Sequence, residues 1–153
     1  MLLYVFISIA VILLDQLSKI LITSHFSLYE QKTLIEGVLS FTYIQNKGAA
    51  FGMLSGARVF FIVITLLAFV LGWLYFRKNP MKNIFEKLGI SFIAGGAVGN
   101  LIDRAFLGYV RDFISADFID FPIFNIADCF VCIGAAIYIL CILLEKNEGK
   151  SDE

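Results

Sequence analysis

Four apolar runs, each close to the length of a membrane-spanning helix, constrain this chain more than any other feature. They cover roughly Leu2–Ile22, Val59–Phe76, Ile84–Leu101 and Phe124–Leu144. A helix rises about 1.5 Å per residue, so about 20 residues cross the ~30 Å hydrocarbon core of a bilayer. Inside lipid the backbone must satisfy its own hydrogen bonds, and a single apolar segment can do so only as a helix. The remaining composition agrees: charged residues make up 16% of the chain, against about 25% in a soluble domain. The expectation is an all-α membrane protein in one integral-membrane domain over residues 1–153. It has four transmembrane helices, at about 2–22, 59–76, 84–101 and 124–144, and an outer loop at 23–58.

The first run is not built like a cleaved leader. No basic segment precedes it, and Asp15 and Lys19 stand where a small-residue cleavage site should follow. It reads as a retained signal-anchor helix. Orientation follows from Lys and Arg near the helix ends. The link RKNPMKN holds Arg77, Lys78 and Lys82, with Lys87 close behind. This densest positive loop predicts a cytoplasmic placement, both termini inside, and segments 23–58 and 103–123 outside. Within the first outer loop, Leu34–Gln45 (LIEGVLSFTYIQ) is rich in β-branched and aromatic residues with partial alternation. That pattern predicts a small extracytoplasmic β-structure on the outer membrane face.

Charge and histidine content exclude whole classes. A net charge of −1 with no basic stretch does not fit a nucleic-acid binder. His25 is the only histidine, so a multi-His metal site is excluded and no cofactor is expected.

An Asp at the centre of an inserted helix costs roughly 2.5–3.5 kcal/mol. Asp128 nevertheless sits about one turn into the fourth run, with Asn125 three residues before it on the same face. A second polar group lies in GNLIDRAFLGYVRDF, Gly99–Phe113: Asn100, Asp103 and Arg104 share a helical face, and Asp112 follows. A short outer loop joins the third and fourth runs, so their polar ends are predicted to be neighbours at the outer interface. Two carboxyls sharing a site cannot both ionise cheaply, and the pair keeps a proton. One can then act as base on a water while the other donates a proton, which is aspartic-peptidase chemistry. The alternative is structural ion pairing with Arg104, Arg111 or Lys19.

Other polar residues read more simply. Asp103 beside Arg104 reads as a structural partner, and Asp117 and Asp120 as solvated loop charges. Asp15 and Lys19, at i and i+4, read as a neutralised pair packed against the bundle. A Ser18–Lys19 dyad is disfavoured because adjacent helical residues point about 100° apart. Gly95 and Gly99 form a GxxxG that permits close helix packing. In the outer stretch Tyr43–Gly52, Asn46 can bond a substrate backbone, while Gly48 and Gly52 allow a turn or close backbone approach.

Four blocks now stand in order: DQLSK at Asp15–Lys19, NKGAAFG at Asn46–Gly52, GNLIDR with GYVRDF at Gly99–Phe113, and FNIAD at Phe124–Asp128. Together they resemble the lipoprotein signal peptidase (signal peptidase II) family across almost the whole chain. The resemblance implies an aspartic endopeptidase of the bacterial inner membrane with its site near the outer face. Its substrate would be a prolipoprotein carrying diacylglycerol on a Cys, cut just before that Cys. Membrane lipids would surround it, a monomer would suffice, and globomycin-type cyclic peptides would inhibit it. By motif match Asp112 and Asp128 would be the catalytic pair. Asn46, Gly48, Asn100, Arg104 and Asn125 would position substrate or support the pair, with Asp15 and Lys19 structural or near the site. Two residues depart from the pattern. Arg111 precedes Asp112, where a neutral residue is expected, and would lower the Asp112 pKa unless its side chain points away. Cys129 follows Asp128, where a small polar residue is expected.

Two other classes compete. A membrane thiol oxidoreductase would use Cys129 and Cys132, but only Cys141 remains for a relay. A non-enzymatic carrier would distribute its acids across the membrane depth rather than cluster them at one interface.

Overall fold

The structure, a computed structural model, describes residues 2–49, 53–81 and 83–148. Gly52 of the outer turn and Lys82 of the basic link lie outside the described residues. In chain order the elements are α1 (Leu2–His25), β1 (Gln31–Ile35), β2 (Leu39–Asn46), α2 (Arg58–Lys78), α3 (Ile84–Phe106), β3 (Val110–Ala116) and α4 (Ile126–Glu148).

The four apolar runs are all helical. Among the described residues, three helices are long and apolar enough to cross a membrane: Leu2–His25, Arg58–Lys78 and Ile126–Leu144. Their outward faces are covered with Leu, Val and Ile, among them Leu13 and Leu17 on α1 and Val63 and Leu71 on α2. Facing water this would be a defect; facing lipid it is the solvated surface.

α3 differs from the other three. Its 23 residues reach about 35 Å, but it carries Glu86, Lys87, Asp103 and Arg104. Its buried residues are small or polar: Gly89, Ser91, Gly95, Gly96, Gly99, Asn100 and Asp103. α3 is packed against α1, α2 and α4, so it need not be apolar all round. Its glycines let α1 and α4 come close. A Cβ on Gly99 would stand 2.5 Å from Asp15 Oδ2, a distance no real Cβ tolerates. Asn83 caps the helix start, accepting from Phe85 N at 2.8 Å, while Glu86 accepts from Asn83 N at 3.2 Å.

A three-stranded antiparallel sheet in the order β1-β2-β3 gathers at the end of the bundle opposite the α2–α3 link. The hairpin β1–β2 falls where the alternating stretch predicts it. β3 is a correction. The segment between the third and fourth helices reads as a short loop, yet it contains a seven-residue strand. Adjacent charges at Arg111 and Asp112 hide its alternation. Below the sheet, Ile22, Tyr43 and Phe113 form a core with Phe26, Phe41, Ile114 and Ile126 packed on it. Phe41 and Phe113 meet edge to face at 5.9 Å. This core ties β2 and β3 to the ends of α1 and α4.

Candidate active site

β3 carries Asp112. In the β2–β3 ladder Asp112 stands opposite Ile44, and Asn46 lies two residues further along β2. Residues two apart share a face of a strand, so Asn46 reaches Asp112 diagonally. Its Nδ2 donates to Asp112 Oδ2 at 2.9 Å, while its Oδ1 accepts from Gly48 N at 2.9 Å.

The start of α4 carries Asp128. Asn125 N donates to Asp128 Oδ2 at 3.1 Å, and Asp128 N donates to Asn125 Oδ1 at 3.0 Å. This is the reciprocal arrangement of a capping box, which satisfies two helix-start N–H groups at once. The Asn125 amide is left to donate to Asp112 Oδ1 at 2.6 Å and to Asn100 Oδ1 at 3.1 Å. Asn100 Nδ2 then donates to Asp128 Oδ1 at 2.7 Å. Three asparagines therefore hold two carboxyls, from a strand and a helix, in one connected network.

Both carboxyls line one cavity of about 490 Å³. Asn46, Asn100 and Arg104 complete its polar side, and Phe121–Phe124 with Ile133 form an apolar wall. Arg104 Nη2 donates to Gly48 O at 3.3 Å, and the guanidinium lies 4.9 Å from the Phe61 ring centre. Its charge interacts with Asp128 and Asp112 without a direct ion pair among the described residues.

Asp112 is only 2% exposed. Burial pushes its carboxyl up from 3.8 to about 7, against the stabilising hydrogen bonds from Asn46 and Asn125, and the Asp128 charge pushes the same way. The sequence expectation that Arg111 would lower this value is not met, because the Arg111 side chain points away. Neighbouring strand residues face opposite sides, and Arg111 turns to Asp103. Its Nη2 donates to Asp103 Oδ1 at 2.7 Å and its Nε to Asp103 Oδ2 at 3.1 Å.

Asp103 is a structural residue, as expected, but with a different partner. It shares helical spacing with Asn100 and Arg104 but does not line the cavity, and its partner is Arg111 rather than Arg104. Lys19 Nζ stands 2.8 Å from Asp15 Oδ2 and 3.6 Å from Asp103 Oδ2. Asp15, Lys19, Asp103 and Arg111 thus make a buried, charge-balanced group behind the site. Two links tie it forward: Lys19 Nζ donates to Asn100 Oδ1 at 2.9 Å, and Asp15 Oδ1 accepts from Ala127 N at 3.0 Å. Asp15 and Lys19 support the network and do not line the cavity. Ser18 Oγ bonds Asp15 O at 2.7 Å, so no Ser18–Lys19 dyad forms.

Two further residues differ from expectation. Asp117 is exposed but not merely solvated, since it accepts from the buried Ser40 hydroxyl and from Ser115 Oγ at 3.1 Å. Gln16 was not singled out from sequence, yet its Nε2 donates to Gly99 O at 3.1 Å and its Oε1 accepts from Arg111 Nη2 at 2.9 Å. An amide inside an apolar run was the available signal.

Known proteins resemble this chain over nearly its whole length. The family model for signal peptidase (SPase) II matches residues 7–144. A lipoprotein signal peptidase of Streptococcus pyogenes serotype M5 (strain Manfredo) is 43% identical over 148 residues, 97% of each chain. One from serotype M3 (strain SSI-1) is 42% identical over the same share. A solved bacterial membrane enzyme, determined by the in meso method at 2.3 Å, superposes with a TM-score of 0.89 at 35% identity, covering 95% of this chain and 90% of that one. A second, at 1.9 Å, gives a TM-score of 0.83 at 37% identity, with 92% of each chain covered.

Proposed function

The chain belongs to the signal peptidase II family, and on that premise we propose that it is an aspartic endopeptidase acting on diacylglyceryl-modified bacterial prolipoproteins. It removes the signal peptide by cutting just before the lipidated Cys. The observation that carries this reading is that Asn125 bonds both Asp112 and Asp128 on the wall of one cavity.

In this reading Asp112, held protonated up to about pH 7 by its burial, donates a proton to the scissile carbonyl oxygen. Asp128 accepts a proton from the attacking water, and the water oxygen bonds the carbonyl carbon. Collapse of the tetrahedral intermediate breaks the C–N bond: Asp128 gives its proton to the leaving amine, and a hydroxyl of the intermediate returns a proton to Asp112 as the carboxyl product forms. Asn46, Asn100 and Asn125 keep both acids in register, and Arg104 beside Gly48 offers donors to the substrate backbone.

All four long helices span the bilayer, with α3 sheltered inside the bundle. Arg77 and Lys78 at the far end of α2 support a cytoplasmic α2–α3 link and cytoplasmic termini. The sheet and the acids then lie at the outer face of the cytoplasmic membrane. That is the depth of a scissile bond joining a spanning signal peptide to a lipid-bearing mature end. The apolar wall of the cavity suits such a substrate. A monomer holds every group the reaction needs, and globomycin-type cyclic peptides are expected to compete for the cavity.

The test is cleavage of a diacylglyceryl-modified prolipoprotein by the purified protein in detergent with EDTA present. Release of the signal peptide, blocked by globomycin, is the expected result. A folded protein that leaves the modified prolipoprotein intact overturns the reading.

A further inference from the structure

Two groups on the cavity wall have no role in the hydrolysis. Cys129 and Cys132 both line the cavity that holds Asp112 and Asp128, and neither is in a disulfide. Cys132 lies one helical turn beyond Asp128, at i+4, and therefore shares its face. Cys132 is exposed and Cys129 half-buried, whereas Cys141, further along α4, is buried.

We propose that Cys129 and Cys132 form a covalent modification site for small apolar electrophiles of the maleimide class, and that an adduct there blocks the approach to Asp128. The site itself follows from the cavity; its effect on turnover rests on the peptidase reading. The chemistry is a simple addition that needs no oxidant. The thiol gives its proton to solvent, the thiolate sulfur bonds one alkene carbon, and the other alkene carbon takes a proton. Because the thiolate is the nucleophile, labelling quickens as pH rises. The surroundings select the reagent. Phe121, Phe124 and Ile133 favour an apolar electrophile.

The experiment treats the purified protein, in detergent, with N-ethylmaleimide. Wild type is compared with Cys129→Ser, Cys132→Ser and the double variant. Each sample is read twice, by intact mass and by prolipoprotein cleavage relative to its own untreated activity. The wild type is expected to gain adducts at Cys132 and Cys129 but not at Cys141, which reacts only after denaturation in SDS. Its cleavage is expected to fall by about tenfold or more, a size typical of a blocked or misaligned reacting geometry. The double variant is expected to keep its activity on treatment. Absence of native adducts when all three cysteines label in SDS overturns the site, whatever the activity. Full labelling of Cys132 with unchanged cleavage, or equal inactivation of the double variant, overturns the blocking role. If untreated wild type does not cleave at all, the peptidase reading fails, and the mass readout still decides the site.

Discussion

Asn125 and Asp128 hold each other in a closed ring, with Asn125 N donating to Asp128 Oδ2 at 3.1 Å and Asp128 N donating to Asn125 Oδ1 at 3.0 Å. Because the Asn125 oxygen and backbone N–H are occupied, its amide NH₂ is the group left to face Asp112 Oδ1 at 2.6 Å. One residue therefore sets the position of a carboxyl on the helix and of a carboxyl on the strand. Losing a buried hydrogen bond costs about 1–3 kcal/mol, and about 1.4 kcal/mol is tenfold in rate. Asn125→Ala is expected to lower kcat roughly 10- to 100-fold with a smaller effect on KM. Steady-state cleavage of the lipid-modified substrate checks this; a change confined to KM would assign Asn125 to substrate binding instead.

The Asp112 carboxyl, raised by burial from 3.8 to about 7, gives stability a definite pH dependence. Below its ordinary value the group is protonated in both folded and unfolded chains. Between there and about 7 only the folded chain keeps the proton. The contribution is thus complete in acid and is lost as pH rises through about 7. Melting temperatures near pH 5 and about pH 8.5 are expected to differ more for wild type than for Asp112→Asn, which has no proton to lose. Activity is expected to decline over the same alkaline range, as the acid form of Asp112 disappears. A wild-type melting temperature and rate that track those of a variant with no group at this position would refute the assignment.

Arg111 is expected to matter for folding and not for the acid–base chemistry. It is 9% exposed and donates its guanidinium to the fully buried Asp103 at 2.7 Å. Removing one member of a buried pair leaves an uncompensated charge, at about 3–5 kcal/mol. Arg111→Met should lower the melting temperature in detergent markedly, and Asp103→Asn combined with Arg111→Met should cost less than the two single changes added together. The alkaline limb of the rate profile should stay where it is, since Arg111 faces away from Asp112. A shifted limb would mean that the Arg111 charge reaches the site.

Much of this architecture is legible in the residues. The four apolar runs are helices, three of them long and apolar enough to cross a membrane among the described residues, and the β1–β2 hairpin follows from its alternation. Asp112, Asp128, Asn46, Asn100, Asn125 and Arg104 converge because their motifs lie at the helix and strand ends that the topology gathers. What could not be read was direction. Asp103 has the spacing to join Asn100 and Arg104, and only the packing of α1 beside α3 turns it toward Lys19 and Arg111. Arg111 next to Asp112 looks like a perturbing charge until β3 is recognised as a strand, after which alternation sends the two side chains apart. α3 illustrates the same point for composition. Its glycines and asparagine make it the least apolar of the four, and its place inside the bundle compensates for that.

The central claim is that Asp112 and Asp128 together perform the cleavage. The most direct measurement is turnover of a diacylglyceryl-modified prolipoprotein by wild type, Asp112→Asn and Asp128→Asn in parallel, with folding of each confirmed by its melting transition. Positioned acid–base groups contribute typically about 10²- to 10⁴-fold each. The account predicts that wild type cleaves and that each variant, though folded, loses at least about 10²-fold. Normal cleavage by either folded variant would contradict it.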